Sequence, residues 1–119
     1  MQASRPRALV VDDDPALRML IRVNLELEGF DVTETETVVE TEKALLVGRP
    51  DVALLDVHLR GHDTLGLLAR LRADAIPVAL VTGSVDVNEY DTAADAVLSK
   101  PFTPQDLVAI AKRLARVQS

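Results

Sequence analysis

Five residues with chemistry to offer stand at intervals along the chain: the acid pair Asp12-Asp13, a third acid at Asp56, the hydroxyl of Thr82 and the ammonium of Lys100. If folding gathers them, the three carboxylates repel one another, and without a counter-ion at least one must take up a proton. A hard divalent cation relieves that repulsion. Mg²⁺ suits the task because it takes oxygen ligands, keeps several waters, and binds through one or two carboxylates plus a phosphate oxygen. A carboxylate can also act as nucleophile and form an aspartyl phosphate. Asp56, set apart in sequence from the acid pair, is the candidate acceptor. Phosphoryl transfer spreads negative charge over three equatorial oxygens, which calls for positioned cations and donors; Lys100 and Thr82 can supply them.

The elements that must position these groups can be read from the same stretches. Ala8-Leu9-Val10-Val11 is a continuous apolar run closed by acids, the pattern of a strand buried on both faces. Asp14-Pro15 then supplies a cap and a first-turn proline, Leu17, Leu20, Ile21 and Leu25 repeat at helical spacing, and Gly29 stops the helix. Phe30 to Glu34 reads as a second strand and Val38 to Leu46 as a weak helix ending near Gly48. Asp51 to Asp56 repeats the first design. Asp63 or Thr64 caps a third helix carrying Leu65, Leu68 and Leu71, and Pro77 opens a strand running to Thr82. Ala96-Val97-Leu98 makes a fifth strand, and Thr103-Pro104 starts a last helix bearing Leu107, Ile110, Ala111 and Leu114. Strands alternating with helices imply a parallel sheet with right-handed crossovers and helices on both faces. In such sheets, sites form outside the carboxyl ends of the strands. That rule brings the five chemical groups to one edge.

Composition bounds the alternatives. At 119 residues with 48% apolar content, one domain spanning 1–119 is expected. The absence of cysteine removes disulfide frameworks, zinc-finger spacings and thiol catalysis, and suits a cytoplasmic setting. The apolar stretch after Arg5 and Arg7 stops at Asp12, too short for a signal-peptide core or a membrane span. A net charge of −6 and 3% aromatic residues leave little material for binding nucleic acid.

Leu9-Val10-Val11-Asp12-Asp13, Leu54-Leu55-Asp56-Val57, Val81-Thr82 and Lys100-Pro101-Phe102, in this order, resemble the motifs of the receiver domains of bacterial response regulators. The resemblance implies a flavodoxin-like, CheY-like doubly wound α/β fold with a five-stranded parallel sheet ordered 2-1-3-4-5. It also implies a phosphoacceptor in a two-component phosphorelay. Asp56 would accept phosphate. Asp13 would bind Mg²⁺ directly and Asp12 mainly through water, with Asp56 and the His58 backbone carbonyl completing the metal site. Thr82 would grip the phosphoryl group and Lys100 would pair with it. A cis Lys100–Pro101 bond is carried over as well. The implied partners are a histidine kinase or histidine phosphotransfer protein and a downstream protein target, with the chain a monomer or weak dimer, off the membrane and away from nucleic acid. The domain would be an acceptor that dephosphorylates itself, without being a turnover enzyme.

The sequence departs from the family pattern in places. Val97 stands where most receivers carry a switching Tyr or Phe, so switching must use another element. The stretch from Thr82 to Lys100 is about one helical turn short, ~4 residues, which leaves the fourth helix of the pattern, 85–94, shortened or irregular. Pro77 to Ser84 partly matches the Pro-Phe-x-Phe-Ala-Thr-Gly-Tyr signature of an atypical receiver subgroup, and Arg60-Gly61-His62-Asp63-Thr64 loses one proline and one glycine of the usual Pro-Gly-x-Asp-Gly turn. His58 and His62 read as exposed loop residues, Lys112, Arg113 and Arg116 as a basic helix face, and Tyr90 as no substitute for the missing aromatic. Two rivals use the same residues. A haloacid dehalogenase-type phosphatase shares the Asp-x-Asp pattern of Asp12 to Asp14 but needs another acid after its lysine, where only Asp106 follows. A pseudo-receiver would bind a partner without phosphate.

Overall fold

The described elements follow in the order β1 (Arg7–Val11), α1 (Pro15–Leu27), β2 (Asp31–Thr35), α2 (Val38–Val47), β3 (Val52–Asp56), α3 (Thr64–Ala73), β4 (Val78–Thr82), β5 (Ala96–Ser99) and α4 (Pro104–Ala115), strand alternating with helix up to β4. These come from a computed structural model that describes residues 5–57, 64–83 and 94–116. The strands form one parallel sheet in the order β2-β1-β3-β4-β5, as the resemblance implies. The segment 85–94 falls, except for Ala94, outside the described residues. So do His58, His62, Asp63 and Tyr90.

Apart from Arg7, Asp56 and Thr82 at their ends, the central strands are apolar because both of their faces are covered. Successive residues point to opposite sides. Ala8, Val10, Val52, Leu54, Ala79 and Val81 therefore join Ile21, Leu25, Phe30, Leu107 and Ala111 in a core under α1 and α4. Leu9, Val11, Ala53, Leu55, Val78 and Leu80 meet Leu67, Leu68, Leu71 and Ile76 on the opposite side. Edge strand β2 is mostly exposed and carries Asp31 and Glu34, charges that blunt an open sheet edge.

The helix signals operate as expected at most ends. Asp14 caps α1 through its side chain, and Thr103 with Asp106 forms a reciprocal capping box on α4. Thr64, a candidate cap, is instead the buried first residue of α3. The second strand starts at Asp31 and not at Phe30, because Phe30 belongs to the stop signal of α1. Its N–H donates to Leu25 O at 3.1 Å and the Gly29 N–H to Glu26 O at 3.1 Å, with Gly29 at φ 92. This double bond closes the helix, and the Phe30 ring packs in the same cluster as Leu25. The Lys100–Pro101 peptide is cis.

Candidate functional site

Strand register sets the site. Val11, the last residue of β1, pairs with Leu55, one residue before the end of β3, so Asp12-Asp13 emerge beside Asp56, the last residue of β3, which itself pairs with Val81 of β4. Thr82 ends β4 opposite Ser99, and its carbonyl accepts the Lys100 backbone N–H at 2.8 Å. A Cβ built on Gly83 would lie 3.6 Å from Lys100 Cδ, so the lysine stem runs over the backbone just past Thr82. Asp12, Asp13, Asp56, Thr82 and Lys100 thus share the carboxyl edge of the sheet. Thr82 is fully buried, Asp12 and Asp56 are buried, and Asp13 is half-buried.

Carboxylate oxygens of Asp12, Asp13 and Asp56 all lie within 4.8 Å of one another. Asp12 Oδ1 accepts the Asp14 N–H at 2.9 Å, whereas Asp12 Oδ2 is buried and finds no hydrogen-bond partner among the described residues. A buried acceptor left unpaired is costly, and native structures rarely tolerate one without a ligand or water to satisfy it. Burial pushes the Asp12 carboxyl up to about 6; the Asp14 N–H draws it back, the Asp56 charge raises it further, and the Lys100 ammonium lowers it. Crowded hard oxygens, an orphaned lone pair and a carboxyl reluctant to ionise form a donor set that a small divalent cation fits. His58, whose carbonyl was expected to complete the set, lies outside the described residues.

Asp106, the acid that a dehalogenase-type site would require after its lysine, is exposed and committed to the capping box, where its carboxylate accepts the Thr103 N–H at 3.3 Å. Val97 is half-buried against the α3-side core.

Reading the sequence did not single out Arg18. Its Nη1 donates to the Asp12 carbonyl at 2.7 Å and its Nε to Glu34 Oε1 at 3.2 Å. The signal was present as spacing. Helical side chains lean toward the N-terminus, so an arginine four residues after the Asp14 cap can reach back to the loop before the helix.

The model of the response regulator receiver domain family matches residues 8–112. The DNA-binding response regulator MtrA of Mycolicibacterium smegmatis is 36% identical over 122 residues, covering 98% of this chain and 54% of that protein. Curated relatives of this kind are about twice as long as the chain, which spans about half their length. Among solved structures, a CheY-like receiver domain protein from Methanospirillum hungatei superposes with a TM-score of 0.86 at 28% identity, covering 95% of each chain. The response regulator TrrA of Thermotoga maritima, solved in complex with Mg²⁺-BeF, gives 0.82 at 28% identity over 92% of this chain and 98% of its own. Sheet order, the acids gathered at the strand ends and a family match running from Ala8 to Lys112 agree, and the chain belongs to the response regulator receiver domain family.

Proposed function

We propose that the chain is a stoichiometric phosphoacceptor whose acceptor atom is a carboxylate oxygen of Asp56. The observation that carries this reading is the meeting of three carboxylates within 4.8 Å, one of them bearing a buried oxygen with no hydrogen-bond partner among the described residues. The donor is a phosphohistidine on a cytoplasmic histidine kinase or phosphotransfer protein. An Asp56 oxygen forms a bond to phosphorus as the phosphorus–nitrogen bond breaks, and the electron pair returns to the imidazole. Asp12, Asp13 and Asp56 would hold Mg²⁺, which when bound supplies positive charge against the carboxylates and the phosphoryl oxygens. Lys100 pairs with one phosphoryl oxygen, and the Thr82 hydroxyl donates to another. Water later attacks the phosphorus of the acyl phosphate, releasing inorganic phosphate and restoring the carboxylate.

The modification adds roughly −1.5 to −2 charge to the pocket. Asp56, Thr82 and Lys100 must readjust around it, and a protein target reads the result. With Val97 in the usual aromatic position, the movement passes through the Thr82 backbone and the chain that follows it. The net charge of −6 keeps this chain itself off nucleic acid.

Treatment with a small-molecule phosphodonor and Mg²⁺, followed by intact-mass measurement, tests the reading. One phosphoryl group per wild-type chain and none on Asp56→Asn is the expected outcome; equal labelling of both would refute the acceptor assignment. Failure of the wild type to label would favour a pseudo-receiver, and continuous turnover of a phosphate ester would favour a phosphatase.

A further inference from the structure

We infer that Arg18 is a positioning residue for the acid pair, tying the Asp12 peptide to the end of β2. This rests on the metal-assisted reading of the site given above. Both polar groups of the Asp12 main chain are fixed: its N–H donates to Thr35 O at 3.1 Å, and its carbonyl accepts Arg18 Nη1 at 2.7 Å. The guanidinium is held in turn by Glu34 Oε1 at 3.2 Å and Glu36 Oε2 at 3.8 Å, and its side chain is only 18% exposed. Arg22 braces Glu34 from the other side, through Oε2 at 2.9 Å. One planar group therefore clamps the loop that carries two of the three carboxylates. A rigid fork can do this, whereas a flexible ammonium cannot make both contacts in one plane.

Two effects of Arg18 on a cation oppose each other. Its positive charge disfavours a divalent ion nearby, so deletion by charge alone would tighten binding. Its clamp keeps Asp12 and Asp13 in place, so deletion by geometry loosens binding. Glu34 and Glu36 neutralise the guanidinium, which leaves geometry in control. Groups that orient metal ligands typically change affinity about 10–100-fold when removed.

The test is a Mg²⁺ titration followed by NMR amide shifts, with melting of the metal-free protein measured in parallel. Arg18→Ala should weaken Mg²⁺ binding about tenfold or more, and Arg18→Lys should lose most of the same affinity despite keeping the charge. Glu34→Gln, which leaves the Asp12 contact but loosens its support, should weaken binding by roughly 2- to 5-fold and guards against misfolding of the alanine variant. Lys112→Ala breaks a remote ion pair with Glu28 at 2.7 Å and should leave the affinity unchanged even if melting falls. Unchanged or tighter binding in Arg18→Ala overturns the inference while leaving the metal reading intact. Equal weakening in Lys112→Ala overturns it too, by showing that general stability sets the affinity. A wild type that does not bind Mg²⁺ overturns the metal reading, and this one with it.

Discussion

Asp12 answers to two opposed requirements. Its burial disfavours the ionised form, and the same burial leaves Oδ2, unpartnered among the described residues, available to a cation. The folded carboxyl titrates at about 6 against 3.8 in an unfolded chain, so between these values the folded state holds more protons. The metal-free protein therefore gains stability from this group as pH falls through 6 toward 3.8, and carries the full penalty above 6. Asp12→Asn should stabilise the metal-free protein at pH 7.5 by up to about 3 kcal/mol, from a shift worth about 1.4 kcal/mol per pH unit. Chemical denaturation at pH 7.5 and pH 5 checks this, and the gain should shrink at the lower pH. Mg²⁺ must displace the same proton, so wild-type affinity should fall as pH drops below about 6. A flat affinity between pH 5 and 8 would remove Asp12 from the metal site.

Among the elements, α1 and α3 stop in the same way with different residues. Ile76 N–H donates to Leu71 O at 2.9 Å and Ala75 N–H to Arg72 O at 3.0 Å, the double closure that Phe30 and Gly29 make on α1. The left-handed position is filled by glycine in α1 but by Ala75, at φ 59, in α3. Arg49 supports this strained turn by donating to Ala75 O at 2.7 Å and Asp74 O at 3.3 Å. A β-carbon in this conformation costs roughly 1–2 kcal/mol. Glycine's extra freedom in the unfolded chain returns part of that. Ala75→Gly should therefore raise stability by about 1 kcal/mol, a melting shift of roughly 4 °C. A fall in melting temperature would mean that the methyl group packs better than its backbone angle costs. Local signals such as Asp14, Gly29 and Thr103 were legible because caps act over three or four residues. Phe30 was misassigned to β2 because an apolar residue before a strand looks the same whether it pairs in the sheet or closes the preceding helix.

For the molecule as a whole, the sheet is a rigid plate with helices on both faces and the chemistry at one edge. Leu54, fully buried in β3 two residues before Asp56, connects plate and site. Leu54→Ala should cost about 2–5 kcal/mol by transfer and cavity terms. Saturating Mg²⁺ at about 100 times its dissociation constant should add roughly 2.7 kcal/mol to the wild type, because the ion binds only the assembled edge. Thermal melts with and without Mg²⁺ read both effects, and a wild type indifferent to Mg²⁺ would contradict the site. None of the described helices is long and apolar enough to cross a membrane. The sequence by itself determined the alternation of elements, the covering of the central strands on both faces, and which polar residues close each strand, because these follow from hydrophobic period and short-range capping. Only the tertiary structure decided that Asp12-Asp13 emerge beside Asp56, that Asp12 Oδ2 has no hydrogen-bond partner among the described residues, and that Arg18 bridges the acid pair to β2. Each of these depends on register and on contacts between distant segments, where a shift of one residue would exchange the faces and part the carboxylates.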